Sequence, residues 1–270
     1  MKKAFCQTLR AIFLLVATGC ATTNTSPSTT VPSSSSRADQ TTLPDKTSEL
    51  HEILDDAAKY GPDEAKGLIA IRAARKLFED LSQARVHGWK GARAIFLTVL
   101  ANKEVLTEEL ANQCNMWSQV NNANKAQVET HLYHALCQGL MAQAFPTKGL
   151  GLIKEMLKGA QQVEVLDKDF DHSAGARLLG GIYLKAPAWP TSVGDSELAV
   201  EHLERAVEAS SKWPENKLLL AEAYYEEDQT DEAKNLLEDV RRQLAHYPDN
   251  GWRRYFTRTL EEVTSELADD

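Results

Sequence analysis

From residue 46 to the end of the chain, apolar residues return every three or four positions. Leu68, Ile71, Leu77, Phe78 and Leu81 form one such series. A stripe of that period follows one face of a helix, whereas a half-buried strand would alternate. No alternating run persists, and no Asn-Gly turn joins two β-rich runs. The pattern predicts helices over 46–60, 62–85, 90–102, 105–119, 124–144, 147–165, 172–185, 194–211, 214–227, 230–246 and 250–267. Pro62, Gly88, Pro146, Pro187, Pro190, Pro214 and Pro248 punctuate them. Pro62, with Asp63 and Glu64 after it, suits a first helical turn, where a missing N–H costs nothing and acidic groups meet the helix dipole.

The C-terminal half repeats itself. Ala199, Leu203, Ala206 and Pro214 recur 34 positions later as Ala233, Leu237, Val240 and Pro248, and Gly180 and Tyr183 correspond to Ala221 and Tyr224. Small residues let two antiparallel helices approach, large ones fill the space between them, and proline ends the second helix. This is the tetratricopeptide pattern. The expected fold is all-α, a tetratricopeptide-like array of antiparallel helix pairs (an α-solenoid). Its clearest repeats span 172–213 and 214–248, and a capping helix over 250–267 carries Trp252, Tyr255 and Phe256. The first repeat holds seven extra residues within 185–195, around Trp189. An earlier pair, 131–144 and 149–165, fits the pattern loosely.

The start of the chain has a different character. Lys2, Lys3 and Arg10 precede and flank the apolar run 11–17 (AIFLLVA), and small residues follow. That layout is an export signal, too short to span a bilayer. Its end, Ala17-Thr18-Gly19-Cys20, resembles the bacterial lipoprotein cleavage box, so residues 1–19 read as a signal and Cys20 as the lipid-bearing residue. Ala21 after the cysteine favours the outer membrane of a Gram-negative cell. Residues 20–48 read as a tether. Of the 28 residues after Cys20, fifteen are Ser or Thr, and no apolar period would let them fold. A flexible chain of that length spans about 30 Å. The helical domain is placed at 49–270.

Removal of the signal takes away three of the 30 basic residues and none of the 39 acidic ones, which leaves a net charge of -12. Such a chain is not expected to bind nucleic acid, whose phosphates call for a basic face. Its acidity suits solubility or a basic partner.

Cys6 leaves with the signal and Cys20 takes lipid, so Cys114 and Cys137 remain, 23 residues apart. In an oxidising compartment they are expected to pair across a helix hairpin whose turn holds Asn121, Asn122 and Asn124. The alternative is two buried free thiols acting as small apolar residues.

A family resemblance rests on residues 170–245. Ala176-Arg177-Leu178-Leu179-Gly180, Tyr183, Ala186-Pro187, Gly194-Asp195, Ala199, His202-Leu203-Glu204-Arg205-Ala206-Val207-Glu208, Pro214 and Leu219-Leu220-Ala221-Glu222 resemble the T-component lipoproteins associated with TRAP-type solute transporters. The resemblance implies a lipid-anchored periplasmic protein and an oligomer with a central pore. It also implies a companion solute-binding protein and hydrophobic ligands.

The sequence offers little chemistry. His131, His134 and Cys137 share a helix face, but the i, i+4 spacing of helical zinc sites is missing. Asp167, Asp169 and Asp171 resemble the start of a calcium loop, yet His172 stands where glycine is needed and Leu178 where the closing glutamate belongs. Asp171 is better read as a helix N-terminal residue. No nucleophile elbow, phosphate loop or dinucleotide fingerprint occurs. The chain is therefore expected to bind rather than catalyse, without metal or cofactor. Aligning the repeats puts Arg177, Leu184, Leu218, Glu222 and Tyr225 on the inner, concave faces, with Trp189 in the inserted loop. These six are the candidate binding residues. Two duller readings stand beside them: Trp189 plugging the groove between helices, and Arg177 pairing with Glu222. The expected partner is a periplasmic protein, a solute-binding protein in the transport reading. The alternative is a structural adaptor in envelope assembly with no small-molecule ligand.

Overall fold

The computed structural model describes residues 42–119 and 127–267. The signal, Cys20 and most of the tether lie outside them, as does the turn with Asn121, Asn122 and Asn124. The described residues form eleven α-helices: α1 (Thr47–Tyr60), α2 (Glu64–Leu77), α3 (Leu81–Ala101), α4 (Glu108–Gln119), α5 (Val128–Ala144), α6 (Gly149–Leu166), α7 (Phe170–Lys185), α8 (Ser196–Ala209), α9 (Pro214–Glu226), α10 (Thr230–Ala245) and α11 (Gly251–Glu266). Short 3₁₀ turns at Lys103–Val105 and Pro146–Lys148 precede α4 and α6. There is no strand among the described residues, only an isolated bridge between Ala188 and Gly194 in the inserted loop. No described helix is long and apolar enough to cross a membrane.

Local chemistry sets the helix starts. Asp63, Asp80, Asp195 and Asn250 each accept a backbone N–H from the first turn of α2, α3, α8 and α11, at 2.8–3.1 Å. Pro62 therefore lies just outside α2, and Asp63 is its cap rather than a residue of its first turn. Pro214 occupies the first turn of α9.

Each helix packs on the next, and the odd-numbered helices also touch one another: α1 on α3, α3 on α5, α5 on α7, α7 on α9 and α9 on α11. This is the layering of a helix-pair solenoid, with odd helices inside. The repeat positions carry the close contacts. Ala199, Leu203, Ala206, Ala233 and Val240 are fully buried. A Cβ on Gly180 would collide with the Leu203 side chain, so α7 and α8 pack at glycine distance.

The array also closes on itself. On α11, Arg254 reaches the Tyr60 hydroxyl at 3.3 Å and the Asp63 carboxylate at 2.9 Å. Arg258 donates to the carbonyl of Ala101, at 3.0 Å, and to that of Leu100. Those carbonyls lie at the C-terminal end of α3, where a cation meets the negative end of the helix dipole. Trp252 packs over Gly61, which turns the chain at φ 89° after α1, and leaves no room there for a Cβ. The innermost helices thus form a ring, closed where α11 meets α3 and the α1–α2 turn.

Two expectations need correction. The break between the second and third helices falls at residues 78–80, not at 86–89. Gly88 is buried inside α3, where a Cβ would strike the Trp117 carbonyl of α4. It is a close-packing glycine, and Asp80 supplies the real helix start. Trp189 does not plug a groove: it is 85% exposed, on the loop between α7 and α8.

The glycines give a direct test. Gly88→Ala should destabilise the protein by about 1–3 kcal/mol, since the obstruction is backbone. Gly151→Ala, with nothing within 4 Å of the new methyl, should be neutral or stabilising by up to about 1 kcal/mol. Urea unfolding of the two variants beside wild type checks both signs.

Candidate functional site

At the centre of the ring lies a cavity of about 140 Å³. Ala58 of α1, Phe96, Leu97 and Leu100 of α3, Leu132 and Leu136 of α5, and Ala174 and Leu178 of α7 give it an apolar wall. Arg93, Tyr133, Asp171, Arg177, Trp213, Glu215 and Trp252 make the rest. A void of this size accommodates a benzene-sized group.

The polar side centres on Arg177, which pairs with Glu215 and, at 3.7 Å, with the Asp171 carboxylate. The Arg177 Nε lies 3.0 Å from Glu215, and both side chains are about 10% exposed. Glu215 also accepts from the Tyr255 hydroxyl at 3.0 Å and from the Trp213 Nε1 at 3.3 Å. Burial, with the Glu215 charge adding to it, keeps the Tyr255 phenol protonated far above its usual range. The carboxylate is thereby matched by one cation and two donors, which is what a buried charge requires.

Arg177 has a second task. Asp171, His172 and Ser173 all adopt left-handed backbone angles, with φ of 45°, 60° and 62°. Each such residue costs about 1–2 kcal/mol. Arg177 Nη1 collects the carbonyls of Asp171 (3.2 Å) and His172 (3.0 Å) and the Asn216 side-chain oxygen (3.2 Å). Asn216, fully buried, donates to the carbonyls of His172, Ala206 and Ser210. His172 stacks on Trp213, ring centres 4.2 Å apart. Asp171 is therefore not a regular N-terminal helix residue: it opens a left-handed turn, and regular helix resumes after Ser173.

On the facing side, Arg93 binds Asp55 at 3.1 Å and lies over the Trp89 ring, which stacks on Tyr133. Burial raises the Tyr133 phenol well above its ordinary value, so it faces the cavity as a neutral hydroxyl.

The six candidate binding residues do not share one surface. Arg177 reaches the cavity. Leu218 is fully buried in the core. Glu222, also buried, forms an ion pair with Lys185, so Arg177 and Glu222 do not pair with each other. Leu184 is half-buried against the cluster of Ala199, Leu203, Leu219 and Leu220, and Tyr225 is half-buried against the main core. Trp189 stands in solvent. The sequence reading missed Arg93, Tyr133, Trp213, Glu215 and Trp252. Trp213 and Glu215 flank Pro214, which marks the repeat and a helix boundary but carries no sign of a site.

Cys114 and Cys137 are joined, with an S–S distance of 1.97 Å and Cα atoms 5.5 Å apart. Nearby, Ser118 and His134 lie 3.2 Å apart, a spacing seen in nucleophile–base pairs. The hydrogen bonds run the wrong way for that. Gln138 Nε2 donates to His134 Nε2, so Nδ1 carries the proton and gives it to Ser118, while Ser118 donates to the Asn115 carbonyl. Burial also holds this imidazole below its ordinary value of 6.5. No group of three or more His, Cys, Asp or Glu suited to a metal occurs among the described residues.

Two outcomes follow. Arg177→Met should cost about 3–5 kcal/mol, because it leaves Glu215 buried and unpaired. The double change with Glu215→Gln should cost less than the sum of the single ones by about 0.5–3 kcal/mol, read from a double-mutant cycle in urea. The second concerns acid. Burial is the leading cause of a lowered imidazole value at His134, His172 and His202. The folded state then binds fewer protons than the unfolded one just below 6.5, so stability is full above that pH and falls as pH drops through it. Tm at pH 5.5 should lie below Tm at pH 7.5, and His172→Phe, which keeps a ring on Trp213, should narrow the gap.

Residues 192–252, spanning α8 to the start of α11, match the tetratricopeptide repeat family model. No curated protein matches the chain. Together with the all-helical pairing, the match shows a tetratricopeptide-like helix-pair solenoid, an architecture that commonly serves protein–protein interaction.

Proposed function

We propose that this protein is a lipid-anchored binding scaffold of the bacterial cell envelope, held to the outer membrane through Cys20 and facing the periplasm on its Ser/Thr-rich tether. It performs no catalysis of its own. The observation that carries the reading is the ring of inner helices around an apolar, aromatic cavity whose charged groups already have partners: Arg177 with Glu215, Arg93 with Asp55. Groups so committed can position a guest or a partner but have no free proton or nucleophile to offer.

Its sharper form is an accessory component of TRAP-type solute uptake, working with a solute-binding protein. The resemblance over residues 170–245 supports it, as does the cleavage box at Cys20. A second reading, an envelope-assembly adaptor without a small-molecule ligand, is favoured by Trp189. A largely exposed indole on a loop inserted into a regular repeat is a natural protein contact.

Light scattering on the tether-truncated protein, before and after adding periplasmic extract from the same cells, separates the two. The transport form predicts a stable homo-oligomer that captures a solute-binding protein, identified by mass spectrometry, and loses it when Ala174→Trp fills the cavity. A monomer that captures no such protein removes the transport form. Binding lost with Trp189→Ala but kept with Ala174→Trp favours the adaptor.

A further inference from the structure

Away from the cavity, two imidazoles meet between α1 and α3. His51 comes from α1 and His87 from α3. Their ring centres lie 4.5 Å apart and their planes cross at 74°. His51 Nε2 faces the Gln83 side-chain oxygen at 3.2 Å. An amide oxygen only accepts, so Nε2 carries the hydrogen and Nδ1 carries the lone pair. That Nδ1 is buried and has no hydrogen-bond partner. Gln83 and His87 are one helical turn apart on α3, so a single helix presents both the second ring and the group that sets the tautomer of the first.

Elsewhere in proteins, a histidine held this way is a metal ligand: one ring N–H is donated to a carbonyl-type oxygen and the other nitrogen is left open. Two imidazoles sharing one ion, each nitrogen about 2 Å from it, have ring centres about 4–5 Å apart. The Asp55 carboxylate beside the pair is committed to two cations and is not free for an ion. Asp55, one turn beyond His51 on α1, takes Lys90 at 2.7 Å and Arg93 at 3.1 Å. No third His, Cys, Asp or Glu completes a cluster with the pair among the described residues, which leaves further positions on an ion to water. Both residues are half-buried, with the open Nδ1 of His51 on the covered side.

We propose that His51 and His87 form a two-imidazole site for a divalent transition-metal ion, Cu²⁺ ahead of Ni²⁺ and Zn²⁺. Imidazole nitrogens with water oxygens suit tetragonal Cu²⁺, and the stability order of the first-row ions peaks there. A bound ion would clamp α1 onto α3.

The test is a titration of the full chain with Cu²⁺ alone, followed by calorimetry and by pulsed electron paramagnetic resonance, which counts coordinated imidazoles. One ion bearing two imidazoles is expected. His51→Ala and His87→Ala should each weaken that site at least tenfold, while His246→Ala, on an exposed ring, should leave it unchanged. Equal affinity in wild type and the His51→Ala/His87→Ala double variant overturns the proposal, as does a Cu²⁺ signal with the same imidazole count in both. If circular dichroism shows that the alanine variants do not hold their fold, Gln83→Ala decides. It keeps both rings but releases the tautomer, and a loss of about 10–100-fold is expected, whereas unchanged affinity overturns the assignment.

Discussion

Everything central in this molecule depends on the return of α11 to the start of the chain. A row of helix pairs needs only contacts between neighbours and is open at both ends. Here two guanidinium groups from the last helix reach across more than 150 residues to the carbonyl end of α3 and to the cap of α2. The chain has also placed glycine at residue 61, where the Trp252 ring leaves no room for a Cβ. Without that closure Trp252 would not reach the cavity, and the space between the inner helices would be an open groove.

The cavity's polar wall follows a different logic. Arg177 and Glu215 would be an expensive pair to bury if each had only the other. Neither does. The arginine also ties down the carbonyls of a left-handed turn, and the glutamate collects a phenol and an indole. The strain of the turn and the desolvation of the charges are offset by the same set of hydrogen bonds. The feature most costly to the backbone and the feature most costly in electrostatics stabilise each other.

Much of the array was legible from residue spacing. The small and large positions of the repeat, Ala199, Leu203 and Ala206 with Ala233, Leu237 and Val240, are core positions because their period is local and their packing partner is the adjacent helix. Gly88 misled because glycine has two opposite uses, breaking a helix and letting one approach another, and only the neighbour's backbone distinguishes them. The cavity was hardly legible at all. Arg93, Tyr133 and Trp252 converge from segments far apart in sequence, and the ring closure that gathers them leaves no periodic trace. Arg177 was singled out for its place on an inner face. Its true partner, Glu215, lies two turns nearer the start of α9 than Glu222, a shift decided by the left-handed turn that no local pattern announced.

The sulfur bridge between α4 and α5 gives the chain a second covalent route. Between Cys114 and Cys137 the polypeptide can be followed through the backbone or across two sulfur atoms. The backbone route is therefore redundant for holding the molecule in one piece. A protease cut anywhere between the two cysteines would leave a single covalent assembly, separable into two fragments only by a reductant.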